Sequence, residues 1–582
     1  MPMKEIAVRV GGQAGDGIAS IGESIARSFS RMGLHIFGLN AYQSVIRGGH
    51  VWYHARASES KVHSPGDNLD ILYALDRQTV DVHAPILHPG GTVIFDPEKF
   101  PLTPADLPKP GLQLLAVPTL EIARKYTSQS ILQNAAGLGA TAFLAGIPLD
   151  LAQKVLSDSF GRKAGDVVTW NVGACADGFK FAEQQGLSHP KALSRMGAPK
   201  LLMTGNQAIG LGAAAAGLKF LVQYPMTPAT SIMHWLAAHS RALGIVVKQS
   251  EDELASINMA IGASYAGVRS MTASSGGGFA LMTEGLGMAG MAEVPVVVVD
   301  AARAGPSTGL PTKTEQADLN LLMGAGQGEW PRAVLAPSNP VEAYRFTVTA
   351  FELAEKYQTP VLVLTDFHLA EAMEGVDRSE IDLNVDVPSL FTVEPNGHEY
   401  RRYEDTESGV SPRAFPGQPG LNHIALSDEH DEWGHDISDI RVGIPESVAI
   451  REKMMEKRMR KLKGLAKDAP QPFFEGPADA PLTFVAWGST VGAVRDTMQV
   501  LAEKGKATNL LRFPTLFPLD PNVVRSMFAR THKTLLVEGN YTGQFAHLLR
   551  SEVGIELPHQ YLKYDGEPFY PHQILERAEE VL

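Results

Sequence analysis

Two stretches of this chain can be satisfied by very few architectures. VPVVVVD, Val294 to Asp300, and TPVLVLTD, Thr359 to Asp366, are continuous apolar runs rich in β-branched residues. A strand with one wet face alternates apolar and polar residues, whereas a run that is apolar at every position needs cover on both faces. Each run is also far short of the ~20 residues that span a membrane. Together they predict a parallel sheet sandwiched between helices, an α/β fold. The pattern of strand, glycine turn and helix recurs along the chain. It reads EIAVRV, GGQAGDG and IASIGESIARSFSRMG near the N-terminus, LLMTGNQAIGLGAAAAG from Leu201, and LTFVAWGSTVGAV from Leu482.

A length of 582 residues is enough for three or four domains. Residues 1–194 form a first α/β segment, with further strands expected at HIFGLN, HVWYHARAS, ILYAL, GTVIFD and LQLLAVP, and helices at TLEIARKY and PLDLAQKVLSDSF. Residues 195–440 form a second, which contains the two β-branched runs and ends in an irregular excursion rich in Pro, Gly and charge. Residues 441–475 read as a connecting helix with eight Lys or Arg between Arg451 and Lys467. Such a charge run predicts a solvated face; a docking patch for an acidic ferredoxin is the other reading. Residues 476–582 form a third, smaller α/β domain.

The formal net charge of −13 disfavours nucleic acid or an anionic membrane as the main partner. The opening MPMKEIAVRVGG is too soon interrupted for a secretory signal, and a cytoplasmic location is the expectation. One cysteine, Cys175, is present. It excludes an intrachain disulfide and a four-cysteine iron–sulfur or zinc site on this chain. In NVGACADGF it reads as a small core residue.

The first glycine turn suits an anion at a helix N-terminus. It is not G-x-G-x-x-G, and no acidic residue follows at the dinucleotide spacing. Gly15-Asp16-Gly17 followed by Asn40 imitates the GDG…N pattern that holds a Mg-diphosphate, but the gap is short and the turn leads straight into a helix, where Asp16 is expected as the cap. Ala176-Asp177-Gly178 and Tyr564-Asp565-Gly566 lack suitable followers. If the chain serves a diphosphate cofactor, the diphosphate and its metal are therefore expected on another chain.

Three strings carry more specific chemistry: YPMTP (Tyr224 to Pro228), QSEDELAS (Gln249 to Ser256) and DAARAGPSTGLPT (Asp300 to Thr312). Together with GNQAIGLGAAAAG and SINMAIGASYAG they resemble the alpha subunit of 2-oxoacid:ferredoxin oxidoreductases, and GGQAGDGI resembles the gamma domain of the same family. The order, gamma then alpha, is that of the fused 2-oxoglutarate-type subunits. The resemblance implies a gamma-type domain, a pyrimidine-side thiamine diphosphate fold and a transketolase C-terminal-like domain. It implies oxidative decarboxylation on thiamine diphosphate, with electrons passing to iron–sulfur clusters and coenzyme A taking the acyl group. Mg2+ and a [4Fe–4S] cluster are expected on a beta subunit in an α2β2 assembly, with ferredoxin as acceptor.

The family's cofactor glutamate begins a helix with Gly nine and fourteen positions on, which Glu253 matches through Gly262 and Gly267 and Glu251 does not. Tyr224 and Pro225 fall on the cofactor side of YPMTP. Arg303, after the strand, matches the arginine that takes the substrate carboxylate, for which a guanidinium is the natural partner. Thr227 is expected to bond the keto or carboxylate oxygens, and Thr312 matches a second substrate-loop position. The resemblance points to 2-oxoglutarate, whose distal carboxylate would need a second cation; Arg269, His368 and Lys313 are candidates, as is a cation from the partner, while His435 reads as a solvated loop histidine. Pyruvate, branched or aryl 2-oxoacids form the next reading. A non-catalytic nucleotide-binding regulator built on the glycine turns is the reading from another class.

Overall fold

A computed structural model describes residues 4–43, 48–161, 165–187, 193–195, 197–385, 387, 393, 399–437 and 445–582. The chain forms two compact units. The first comprises residues 1–204, 371–380 and 570–572, and the second comprises 205–370, 381–569 and 573–582.

The first unit is built on an eight-stranded sheet in the order Gln113–Ala116, Leu87–Phe95, Leu69–Ala74, Glu5–Gln13, His50–Ser58, His35–Ala41, Met373–Val376, Leu201–Thr204. The first four run parallel and the rest pair antiparallel. Two features depart from the sequence reading. Met373–Val376 lies where an irregular stretch is expected, and Leu201–Thr204, expected to open the second segment, instead edges this sheet. Both strands are four residues long, so their pairing rests on partners remote in sequence rather than on local pattern.

Helices Gln133–Leu144 and Val167–Gln184 approach backbone to backbone: a Cβ at Gly139 would lie 2.0 Å from the Cys175 carbonyl oxygen, and one at Gly178 would lie 2.0 Å from that of Ala136. Cys175 is buried there as a core residue, and burial pushes its thiol up to about 12. Asp16 does not cap the helix Ile18–Arg31. Gly17, in the left-handed region, is the N-cap, and Asp16 instead accepts the Gln13 N–H at 3.0 Å and closes the turn.

The second unit holds two sheets. The larger runs Thr515–Phe517, Ala333–Leu335, Pro360–Asp366, Val296–Ala302, Ser270–Ser274, Phe220–Gln223, Val246–Gln249. All pairs are parallel except the first. The two β-branched runs are direct neighbours, paired from Val296 with Pro360 to Ala302 with Asp366, and every residue of both strands is buried. The smaller sheet runs Phe473–Glu475, Thr508–Arg512, Leu482–Ala486, Lys533–Glu538, Gln560–Leu562. Phe517, from the C-terminal third of the chain, pairs with Val334 of the larger sheet, and one hydrophobic cluster is continuous through both.

The basic helix Pro445–Asp468 is not simply solvated. Lys457, Arg458 and Lys461 are buried. Lys457 and Lys461 donate to the two carboxylate oxygens of Glu293 at 2.5 and 2.6 Å, and Arg458 forks onto Glu429 at 2.8 and 2.7 Å. Burial by itself would raise the Glu293 carboxyl, but the two lysines outweigh it and hold it below the ordinary range. Three of the eight basic residues of what reads as a surface charge run thus form an internal clasp. No helix among the described residues is long and apolar enough to cross a membrane.

Candidate active site

Because the strands of the larger sheet are parallel, their C-terminal ends share one edge, where α/β folds place ligands. Four segments leave that edge side by side. Tyr224–Pro228 follows Phe220–Gln223, Ser250–Glu253 follows Val246–Gln249, Ser275–Gly278 follows Ser270–Ser274, and Arg303 follows Val296–Ala302.

The YPMTP turn is held from below by two fully buried amides. Asn206 Nδ2 donates to the Pro228 carbonyl at 2.8 Å and to Ser231 Oγ at 2.7 Å, and Gln223 Nε2 donates to the Ala229 carbonyl at 3.0 Å. Arg303 Nη1 donates to the Thr227 carbonyl at 2.9 Å. The Thr227 backbone thus fixes the guanidinium, while the Thr227 hydroxyl bonds no other described residue. Tyr224 is 37% exposed and Pro225 half-buried.

Glu253 is the first residue of the helix Glu253–Tyr265, which Asp252 caps by accepting the Ala255 N–H at 2.7 Å. Asp252 takes the cap, so Glu253 is free to turn inward. It is 3% exposed, whereas Glu251 is exposed. The Ser274 hydroxyl lies 3.3 Å from Glu253 Oε1 and 3.7 Å from the Met226 sulfur, within donating reach of both, so the YPMTP turn, the Ser274 strand and the buried carboxylate meet. A Cβ at Gly278 would come within 2.3 Å of Glu253 Oε1, so only glycine leaves that carboxylate its place. Gly267 stands just past the helix end at φ +89°, the left-handed stop that glycine supplies without strain.

The segment after Arg303 forms a small loop closed by an Ala304–Leu310 bridge, with Thr312 half-buried at its end. Gln316 ties this segment to the smaller sheet. Its backbone N–H donates to the Gly539 carbonyl at 2.6 Å, and its side chain accepts the Gly539 N–H at 2.8 Å and donates to the Trp487 carbonyl at 3.0 Å. Asn540 closes the set by donating to the Gln316 carbonyl at 3.0 Å.

The candidates for a distal carboxylate divide. Arg269 precedes the strand Ser270–Ser274, at the opposite edge of the sheet, and bonds the Ala216 carbonyl. Lys313 is paired with Glu567, and His435 is exposed beside Asp431. His368 is buried behind the loop; its N–H donates to Thr314 Oγ1 at 3.2 Å, and burial pushes its imidazole down. Sequence reasoning passed over Asn206, Gln223, Ser274, Gly278 and Gln316. The visible trace of them was a polar residue or glycine bordering an apolar run.

The residues suit an aminopyrimidine. One buried carboxylate with a single hydroxyl partner stands beside a helix start, Gly276 to Gly278, where an added Cβ at Gly277 would have only the Ser307 carbonyl at 4.0 Å. Among the described residues, no cluster of three or more His, Cys, Asp or Glu is placed to hold a metal ion.

Residues 211–447 match the family "Pyruvate flavodoxin/ferredoxin oxidoreductase, thiamine diP-bdg", and residues 7–181 match "Pyruvate ferredoxin/flavodoxin oxidoreductase". The chain is 32% identical to the 2-oxoacid:ferredoxin oxidoreductase subunit alpha of a Sulfolobus species, over 98% of this chain and 96% of that one. It is 28% identical to the 2-oxoglutarate oxidoreductase subunit KorA of Mycobacterium tuberculosis, over 95% and 88%. A solved structure of the 2-oxoglutarate:ferredoxin oxidoreductase of Magnetococcus marinus, with 2-oxoglutarate, coenzyme A and succinyl-CoA bound, superposes with a TM-score of 0.92 at 35% identity, over 99% of each chain.

Proposed function

This chain belongs to the 2-oxoacid:ferredoxin oxidoreductases, as an alpha subunit, and on that premise we propose that it converts 2-oxoglutarate, coenzyme A and oxidised ferredoxin to succinyl-CoA, CO2 and reduced ferredoxin. The observation that carries the site assignment is the junction of Thr227, Arg303 and Glu253 at one sheet edge. The 2-oxoglutarate-bound relative, similar along its whole length, supports the substrate.

Thiamine diphosphate supplies, when bound, a sink for the electron pair left behind when the oxoacid loses CO2. Glu253, buried at its helix start, would hold the aminopyrimidine ring nitrogen through its carboxyl group. Arg303 receives the substrate carboxylate; the Thr227 carbonyl fixes one of its nitrogens and leaves the others for the ligand, so the guanidinium is already oriented before binding. The Thr227 hydroxyl would bond the keto oxygen, and Tyr224 and Pro225 would border the cofactor ring. Thr312 closes the substrate side on a loop that Gln316 anchors. A beta subunit brings Mg2+, the diphosphate site and a [4Fe–4S] cluster, in an α2β2 complex located in the cytoplasm.

Co-expression with the beta subunit tests this. The purified complex is expected to show iron–sulfur absorbance and to reduce ferredoxin or a viologen dye with 2-oxoglutarate only when coenzyme A is present. Arg303→Ala is expected to raise KM for the oxoacid with cluster content unchanged. A second reading, a broader or pyruvate-directed enzyme, is favoured by the relatives named only for 2-oxoacids. A higher kcat/KM for pyruvate than for 2-oxoglutarate would establish it.

A further inference from the structure

The smaller sheet of the second unit has its own place for a ligand, and the chain itself fills it. From Leu482–Ala486 the chain crosses first to Thr508–Arg512 on one side and later to Lys533–Glu538 on the other, and all three strands run parallel. That change of direction opens a crevice beyond the C-terminal ends of Leu482–Ala486 and Lys533–Glu538, the position at which open α/β sheets bind ligands. Trp487 and Gly539 are the first residues past those two ends. Gln316, from the larger sheet's substrate segment, stands between them. Its side chain donates to the Trp487 carbonyl on one wall at 3.0 Å and accepts the Gly539 N–H on the other at 2.8 Å, and its own N–H donates to the Gly539 carbonyl at 2.6 Å.

The walls are shaped around that side chain. Gly488 lies at φ +60°, where glycine alone is unstrained, and a Cβ there would come 2.8 Å from Gln316 Nε2. Beneath the crevice, fully buried Glu538 accepts from the Asn540 amide at 2.9 Å and from the Trp487 indole at 3.3 Å. It therefore fixes both residues whose other groups hold Gln316. Gln544 extends the grip by donating to the Ala317 carbonyl at 2.7 Å and accepting the Asn320 N–H at 2.8 Å. Just before Gln316, the Lys313 carbonyl accepts the Ala304 N–H at 3.1 Å and closes the base of the loop that follows Arg303. The cavity left beside Gln316 measures about 20 Å³, room for about one water, so no metabolite shares the crevice.

We propose that this crevice is a receptor for residues 314–320 of the same chain, and that Gln316 is the positioning residue through which the smaller sheet seats the substrate loop. This rests on the reading that Arg303 and Thr312 meet the oxoacid, and it gives the C-terminal domain a task in the reaction. Residues 305–310 are all exposed, so burial of the loop itself does not order it. Ordering a free loop when substrate arrives costs conformational entropy. A loop whose exit is already fixed has less to lose, and its contacts go further toward binding. Gln316 acts through the loop and touches no substrate.

The test uses the complex with its beta subunit. Gln316→Met keeps the bulk of the side chain and removes its amide. It is expected to raise KM for the oxoacid about tenfold, the scale of one or two net hydrogen bonds, with kcat falling less than KM rises and iron–sulfur absorbance unchanged. In hydrogen exchange read by mass spectrometry, peptides over residues 303–320 are expected to exchange faster than in the unaltered complex, while peptides over Leu482–Ala486 and Lys533–Glu538 keep their rates. An unchanged KM overturns the proposal, and so does faster exchange in the smaller sheet as well, which would make Gln316 a general support of the fold. Should the variant fail to assemble, the unaltered complex decides. Amides of residues 314–320 that exchange more slowly than those of 305–310 support the seat, and equal rates overturn it. Arg303→Ala keeps the two failures apart. An unchanged KM there removes the reading of the site itself, whereas a raised KM alongside a silent Gln316→Met removes the seat alone.

Discussion

Three buried glutamates of the second unit differ in how much of their charge is answered. Glu293 is fully enclosed and takes a lysine on each oxygen. Glu538 is equally enclosed but receives neutral donors, from Asn540, Phe545 and Trp487, all on Oε1, while Oε2 has none. Glu253 has the Ser274 hydroxyl at 3.3 Å. An ion that is fully paired is part of the scaffold. One left short of partners has been given room for something else, and here that one stands at the sheet edge with Arg303. The difference separates glue from site more sharply than burial does, because all three are buried.

Breaking the saturated case should have the largest effect on stability. Glu293→Gln leaves two buried lysines without a counter-charge, and loss of one partner of such a set costs about 3–5 kcal/mol. Thermal or denaturant unfolding of the complex should show it, and turnover of the surviving folded fraction should be near normal. At the other pole, Glu253→Gln should leave unfolding unchanged and cut turnover about 10³-fold, within the range for a positioned proton-handling group. Normal turnover in that variant would move the role to Glu251 or elsewhere.

The intermediate case sharpens the comparison through pH. Burial is the main cause raising Glu538, to about 7, against the pull of its donors. A carboxyl raised in the folded state binds its proton more tightly there than when unfolded. Its contribution is therefore complete below the ordinary carboxylate range and is lost as pH rises toward about 7. Glu538→Gln should remove about 3 kcal/mol of that pH-dependent change, measurable as the pH dependence of unfolding; an unchanged pH dependence would return Glu538 to ordinary titration. The smallest expected effect is Asn206→Ala, which strips one hydrogen bond from the YPMTP turn at Pro228 and one from Ser231 in the helix that follows. About 1–2 kcal/mol of stability should go, with KM for the oxoacid rising more than kcat falls because the turn carries the Thr227 carbonyl that orients Arg303.

The sheet that carries the site was legible because its signal is local. Val296–Ala302 and Pro360–Asp366 are β-branched throughout, and such runs have few other places to go. Glu253 and Arg303 are legible through the family resemblance, which places one at a helix start and the other after a strand, where the structure has them. The pairing of Met373–Val376 with Leu201–Thr204 is not legible in the sequence because four residues hold too little pattern to name a partner. The buried side of the basic helix is hidden from the sequence for a related reason. A lysine's sequence context says nothing of a glutamate more than 160 residues away, and the distances of 164 and 168 residues to Glu293 are such cases.

The amino-acid sequence by itself determined the α/β architecture and the presence of a single cysteine. These follow from periodicity and composition, whereas the residues gathered at the sheet edge were named through a family resemblance of short motifs. Only the tertiary structure decided how each charge is answered. Glu293 between two lysines and Arg303 on the Thr227 carbonyl are contacts across long separations. Whether a buried group is anion, acid or anchor depends on the atoms within about 4 Å of it, and folding alone chooses those.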